Sequence, residues 1–212
     1  MDKYTSILKA LKDLRWYTII LLFTLIILLS FRTEIERVID LKWSNKDLVV
    51  SNLENDVTID ESLQDLLVAH KANRAWIIRF HNGVTYYNGT HKSKMSCDYE
   101  VVAEGVSSEA QSFQDVPTAL YSRWIKDIVE MKMFFCYVKD MSDLRIKHLL
   151  NKQGVKAIAV SPYYRDGKLF ALIGIDYTVA TSKEDCVRFC GNKESIKMKF
   201  KVETDQIGEL LL

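Results

Sequence analysis

The chain has 212 residues, 48% of them hydrophobic and 27% charged, the balance of a globular domain rather than a disordered chain. A formal net charge of +1 gives no sign of a broadly basic nucleic-acid-binding surface. The cysteines Cys97, Cys136, Cys186 and Cys190 include no CxxC pair and no nearby histidine for Cys186 and Cys190, so neither a metal nor a cofactor is expected.

Residues 1–15 read as a short tail carrying Lys3, Lys9, Lys12 and Arg15. The next stretch, Trp16 to Phe31, holds no charge, no Gly and no Pro. As a helix it would reach roughly 24 Å at about 1.5 Å per residue, against a hydrocarbon core about 30 Å thick. Arg15 and Arg32 could snorkel, and Trp16 and Tyr17 suit an interface. Three readings compete: a cleaved signal, a buried core helix and a membrane anchor. The run Leu28-Leu29-Ser30-Phe31-Arg32 is a poor cleavage site, and a core helix is rarely apolar on every face. An uncleaved transmembrane anchor over 16–31 is therefore expected. Basic residues are nearly tied on its two sides, and a signal-anchor places the tail inside and the domain outside.

Residues 32–57 read as a stalk, in which Ile35, Val38 and Ile39 keep helical spacing to about Leu41 and Trp43 to Asp47 form a turn. A domain follows over 58–212. Thr58 and Glu61 fit a capping box that opens a helix whose inner face is Leu63, Leu66, Leu67 and His70. Ala75 to Phe80 reads as a central strand, and Asn82-Gly83 as the turn that ends it. Lys94 to Gly105 reads as a second strand. Pro117-Thr118 opens a helix with Leu120, Trp124, Ile125 and Ile128 on one face. Met133 to Val138 is a third strand, and Ser142 to Gln153 a helix capped by Gly154. Val155 to Ser161 and Lys168 to Tyr177 form a hairpin around Asp166-Gly167, with Pro162 at an edge or a bulge. Ile196 to Val202 alternates apolar residues with Lys and reads as a strand with one wet face. The last ten residues read as a short helix with Ile207, Leu210 and Leu211 inward. The expected fold is α+β: a central antiparallel sheet with flanking helices.

The candidate binding residues cluster around His81 and Asn82 at a strand end. Arg79, Tyr99 and Tyr163, with Glu104 and Asp176, lie on candidate sheet strands that could line a small-ligand pocket. The plainer alternative is that Asn82-Gly83 makes a turn and His81 caps a strand. Tyr86 and Tyr87 could form an exposed aromatic patch for a protein partner or could pack within a hairpin. Cys97 with His81 is a conceivable nucleophile and base, but no third residue can be named to orient them. Asp98 and Glu100 share one strand face, which reads as wet. No catalytic residue is assigned, and no enzyme is expected.

The order of elements resembles a GAF domain, a relative of the PAS fold, over Thr58 to Thr178. The carrying residues are Gly154, Pro162, Asp166-Gly167, Gly174 and Asp176. The resemblance implies a binding or sensory fold. Neither the acidic and polar signature of cyclic-nucleotide GAF domains nor a bilin-attachment context for any Cys is apparent. An anchor followed by one α+β domain also resembles the T-type holins of T-even phages. Ser161-Pro162-Tyr163-Tyr164 is similar to that family's Cys-Pro-Tyr-Phe hairpin, with Ser161 in place of Cys. Phe80-His81-Asn82-Gly83 followed by Lys94 to Glu100 is similar to phage-encoded GAF-like proteins. The second resemblance implies a homo-oligomer in the lipid bilayer of the host inner membrane. It would permeabilise that membrane for lysis and could accept an inhibitory protein partner on its periplasmic domain. The alternative is a membrane-tethered GAF-like sensory module for a small molecule or a partner protein.

Overall fold

The computed structural model describes residues 4, 16–18, 20–21, 23–27, 31, 45–85, 89, 91–178 and 194–211. The chain divides into two units, Met1–Leu53 and Glu54–Leu212. Among the described residues no helix is long and apolar enough to cross a membrane, which overturns the expected transmembrane helix. Residues 19, 22 and 28–30 of the expected span lie outside the described set. So do Ile35 to Leu41, Tyr86, Tyr87, Cys186 and Cys190.

Helix α1 runs over 26 residues, Asn45–His70. The turn expected at 43–47 is therefore helical from Asn45 onward, and Thr58 sits inside the helix instead of capping it. Thr58 Oγ1 donates to Glu54 O at 2.9 Å, and Ser62 Oγ to Thr58 O at 2.8 Å. Both hydroxyls bond back one turn, the pattern of a Ser or Thr within a helix. A capping box is a local pattern, and it has no meaning where the upstream turn is already hydrogen-bonded. The inner face is as the spacing predicts: Ile59, Leu63, Leu66 and Leu67 are buried, and His70 beside them.

Among the described residues the sheet has six antiparallel strands in the order β3-β2-β1-β6-β5-β4. These are β1 (Arg74–Thr85), β2 (His91–Val102), β3 (Val116–Pro117), β4 (Phe134–Tyr137), β5 (Val155–Arg165) and β6 (Lys168–Thr178). β1, β6 and β5 occupy the middle and are covered on both faces, so their sequences read as near-continuous apolar runs. Asp166 and Gly167 turn β5 into β6 with φ of 51° and 72°, the pair of positive φ angles that a tight hairpin requires. β4 pairs only with Ala157 to Val160, so Pro162 lies past the end of that pairing, where a missing N–H costs no ladder bond. Asn82-Gly83 is not a turn. Both residues stay within β1, next to a register irregularity. A Cβ on Gly83 would stand 2.2 Å from Lys92 O, so the glycine serves a close backbone approach.

One sheet face carries α1 and α4 (Glu194–Leu210), whose Phe200 and Ile207 join Ala75, Ile77, Ile173, Ile175 and Tyr177 in one core. The strand expected at 196–202 is thus helical. Its alternation of apolar residues with Lys is overruled by the wider spacing of Phe200, Thr204, Ile207, Gly208 and Leu211, all buried. Met198 and Val202, inward in a strand, are exposed. The other face carries α2 (Ser122–Met131) and α3 (Leu144–Lys152), with Trp124, Ile128, Ile146 and Leu150 packed on Trp76, Ile78, Ile158 and Leu172. Leu120, expected on the inner face, lies in a 3-10 turn and is 45% exposed. Asp143 caps α3 by accepting from Arg145 N, and Gly154 follows its end with φ 74°.

Gly208 of α4 packs directly on the Tyr163 ring, and a Cβ there would meet Tyr163 Cδ2 at 2.2 Å. Gly208→Ala is expected to lower unfolding free energy by about 1–3 kcal/mol, read as a shift in denaturation midpoint. Thr58→Ala is expected to stay within about 0.5 kcal/mol of the parent, whereas loss of a true N-cap would remove about 1 kcal/mol.

Candidate functional site

Between the sheet and the α2/α3 layer lies a cavity of about 50 Å³. One water needs roughly 10–15 Å³ on the same measure, so several small groups fit. Its apolar walls include Trp76, Ile78, Phe113, Trp124, Ile146 and Ile158. Its charged members are Arg74, Asp176, Glu100 and Glu109.

Arg74 opens β1 opposite Asp176 of β6, and both are almost fully buried. Arg74 Nε lies 3.5 Å from Asp176 Oδ2, close enough for charge attraction but without a hydrogen bond from Nε. An Arg74 terminal nitrogen donates to Gln153 O, at the end of α3, at 3.1 Å. Trp76 Nε1 donates to Asp176 Oδ1 at 3.1 Å. The indole can reach because Trp76 lies across Gly174, where a Cβ would meet its ring at 2.3 Å. Burial pushes the Asp176 carboxyl up to about 6, against the opposing pull of Arg74 and of the Trp76 N–H. Trp124 Nε1 is buried and has no hydrogen-bond partner among the described residues.

Glu100 and Glu109 belong to the part-exposed wall. Glu100 Oε2 accepts from Glu109 N at 2.8 Å, from Ala110 N at 2.9 Å and from Ser108 Oγ, which tethers the segment after β2 to the sheet. Gln153 Nε2 donates to Glu109 Oε2 at 3.3 Å. The expected shared wet face of Asp98 and Glu100 is not formed. A bulge opposite Ile77 and Ile78 sends Glu100 to the cavity, while Asp98 pairs with Arg79. Cys97 also lines the cavity. Burial, then the charges of Glu100, Asp98 and Asp176, push its thiol up to about 12, so it is a neutral thiol. Its Sγ contacts Tyr99 O at 3.4 Å and no His81 atom, so the nucleophile-and-base pairing fails.

The sequence-derived residues divide among other places. Arg79 pairs with Asp98 and lies 6.0 Å from the Tyr99 ring centroid. Tyr99 donates to Asp56 Oδ1 at 2.5 Å, and burial with that bond pushes its hydroxyl up to about 12. Tyr163 donates to Glu209 at 3.0 Å beneath α4. These three belong to the α1/α4 side, away from the cavity. His81 and Asn82 border an open groove with Phe80, Ser93, Thr118 and Lys168. His81 Nε2 bonds Ser96 Oγ at 2.9 Å. Glu104 is exposed, and Asp176 alone of the proposed pocket residues reaches the cavity. Arg74, Trp76, Trp124 and Glu109 were not singled out. A usable signal existed for one pair: Arg74 and Asp176 are charges at the ends of strands that are otherwise apolar.

Many solved structures share this architecture, and two of them serve for comparison. The GAF domain of Thermosynechococcus elongatus PixJ, in its blue-light-absorbing form, is 13% identical with a TM-score of 0.51 over 74% of this chain and 84% of that one. The domain has the GAF fold. A GAF domain region from a Geobacter sulfurreducens PCA protein is likewise 13% identical, with a TM-score of 0.51 over 78% of this chain and 97% of that one. No protein-family model and no curated protein matches the chain. The expected holin kinship finds no match, and the expected inner-membrane localisation loses the spanning helix on which it rested. Host lysis is therefore set aside.

Removing one partner of a buried ion pair leaves the other charge unpaired, so Asp176→Ala is expected to lose about 3–5 kcal/mol of stability. The folded-state pKa of Asp176 lies above the ordinary 3.8. The folded state thus holds this proton more tightly, and the contribution is present at low pH and lost as pH rises towards about 6. Asp176→Asn is expected to flatten that part of the stability profile, measured by urea unfolding across pH.

Proposed function

We propose that the chain is a small-molecule-binding module of the sensory kind, acting without turnover. The observation that carries this reading is a cavity lined by Arg74 and Trp124, each of which has a buried donor, Nε and Nε1, with no hydrogen-bond partner among the described residues. Leaving such a group unpaired costs roughly 1–3 kcal/mol, and an occupant with acceptor atoms would recover it. The GAF fold is one on which a binding module can be built, but the residues and not the fold carry the reading. A neutral Cys97 beside three carboxyl groups supports binding over nucleophilic chemistry.

A route to the surface runs through the same strands. Asn73 N donates to Asp176 O at 2.8 Å, and Thr178 N to Asn73 Oδ1 at 2.8 Å. Tyr177 donates to His70 O at 3.0 Å at the end of α1. An occupant that draws Arg74 away from Asp176 would therefore act on the junction of α1 with β1. A partner protein or a second copy of the chain would read that change at the α1/α4 surface.

The test is a protein-observed NMR fragment screen on the full, ¹⁵N-labelled chain, with the indole N–H signals of Trp76 and Trp124 as site reporters. Binders that shift both signals are expected, with affinity reduced roughly tenfold by Trp124→Phe. Binders that leave both indoles unmoved would place binding elsewhere and defeat the proposal.

A further inference from the structure

Resting on that binding-module reading, we infer that the cavity takes a small uncharged molecule that accepts hydrogen bonds, such as an amide or a single-ring nitrogen heterocycle, and rejects anions. The donor side is already described: Arg74 and Trp124 line the cavity, and their buried Nε and Nε1 lack hydrogen-bond partners among the described residues. They call for acceptor atoms on the ligand. An anion would satisfy them but would meet the remaining charges, because Asp176, Glu100 and Glu109 stand against the single guanidinium of Arg74. Asp176 is 3.5 Å from Arg74 Nε and already screens its charge. Glu100 is held in place by two backbone N–H groups, so it cannot swing out to make room. A like charge brought into such a site is repelled. A cation would suit the carboxylates but would leave both donors unfilled beside a guanidinium. A neutral acceptor answers both constraints, and the aromatic walls suit a flat one.

The experiment compares matched pairs that differ by a carboxylate, nicotinamide with nicotinate and uracil with orotate, titrated into the full chain at neutral pH. The Trp76 and Trp124 indole signals report occupancy of the cavity. At least one neutral member is expected to bind about tenfold or more tightly than its carboxylate counterpart, since each tenfold corresponds to about 1.4 kcal/mol. Glu109→Gln is expected to narrow that gap by relaxing the repulsion. Trp124→Phe is expected to weaken the neutral member roughly tenfold, with the native, dispersed Trp76 indole signal showing that the fold is kept. If the carboxylate binds as well as the neutral compound, the ligand class is overturned and the binding module stands. The same holds if a broad fragment set yields only charged binders at these indoles. If nothing of any charge moves them, the class and the binding module fall together.

Discussion

Arg74 and Asp176 stand opposite each other on β1 and β6, near the middle of the sheet, with almost no access to water. Two charges in that position are tolerated only when each has a partner. The effective desolvation penalty is several kcal/mol per ion, and attraction repays it only with good geometry and further hydrogen bonds. The surrounding structure supplies them. Gln153 O, at the end of α3, accepts from Arg74, and the Trp76 indole donates to Asp176. Gly174 leaves the space through which that indole reaches. The backbone of Asp176 accepts from Asn73, which ties the turn after α1 to the sheet. One buried pair thus fixes the entry of α1, the floor of the cavity and the end of α3.

The pairing is incomplete in a specific way. Nε of Arg74 has charge attraction without a hydrogen bond, and Trp124 Nε1 has no partner among the described residues. Buried donors in native structures are nearly always satisfied, so orphans mark a strain reservoir or the seat of something bound. Here Arg74 and Trp124 line one cavity. A third orphan, Ser161 Oγ, lies on the opposite face of β5, among residues that pack under α1 and α4. The α1/α4 face is filled by interlocking side chains, down to Gly208 lying against the Tyr163 ring. The α2/α3 face keeps a polar pocket within its core.

Much of the fold was legible in the sequence. The hairpin at Asp166-Gly167, the capped helix before Gly154, the inner face of α1 and the strand at 134–137 all follow from local chemistry that acts over a few residues. Positive φ, a missing N–H and a period of 3.6 have the same meaning in any context. Errors fell where one local pattern had two meanings. Thr58 and Glu61 read as a cap, yet the hydroxyl bonds back into a helix begun far upstream. Ile196 to Val202 alternates like a strand, yet residues up to Leu211 set a helical face. Asn82-Gly83 has the composition of a turn, yet Gly83 is needed where β1 crowds Lys92 O.

By itself the sequence determined an α+β domain with its strands in place, because periodicity, turn chemistry and capping are carried by neighbours along the chain. It also singled out Gly174 and Asp176. Only the tertiary structure decided what they do. Arg74 meets Asp176 across a hydrogen-bonded strand pair 102 positions long in sequence terms, from β1 to β6, and Trp124 joins them from a helix on a third segment. The register of β2 against β1, with its bulge, decided that Glu100 faces the cavity and Asp98 does not. A single shifted residue reverses every side chain beyond it, and nothing in the local sequence of Cys97 to Glu100 announces that shift. The site is a product of register and packing, so it became visible only when the strands were paired.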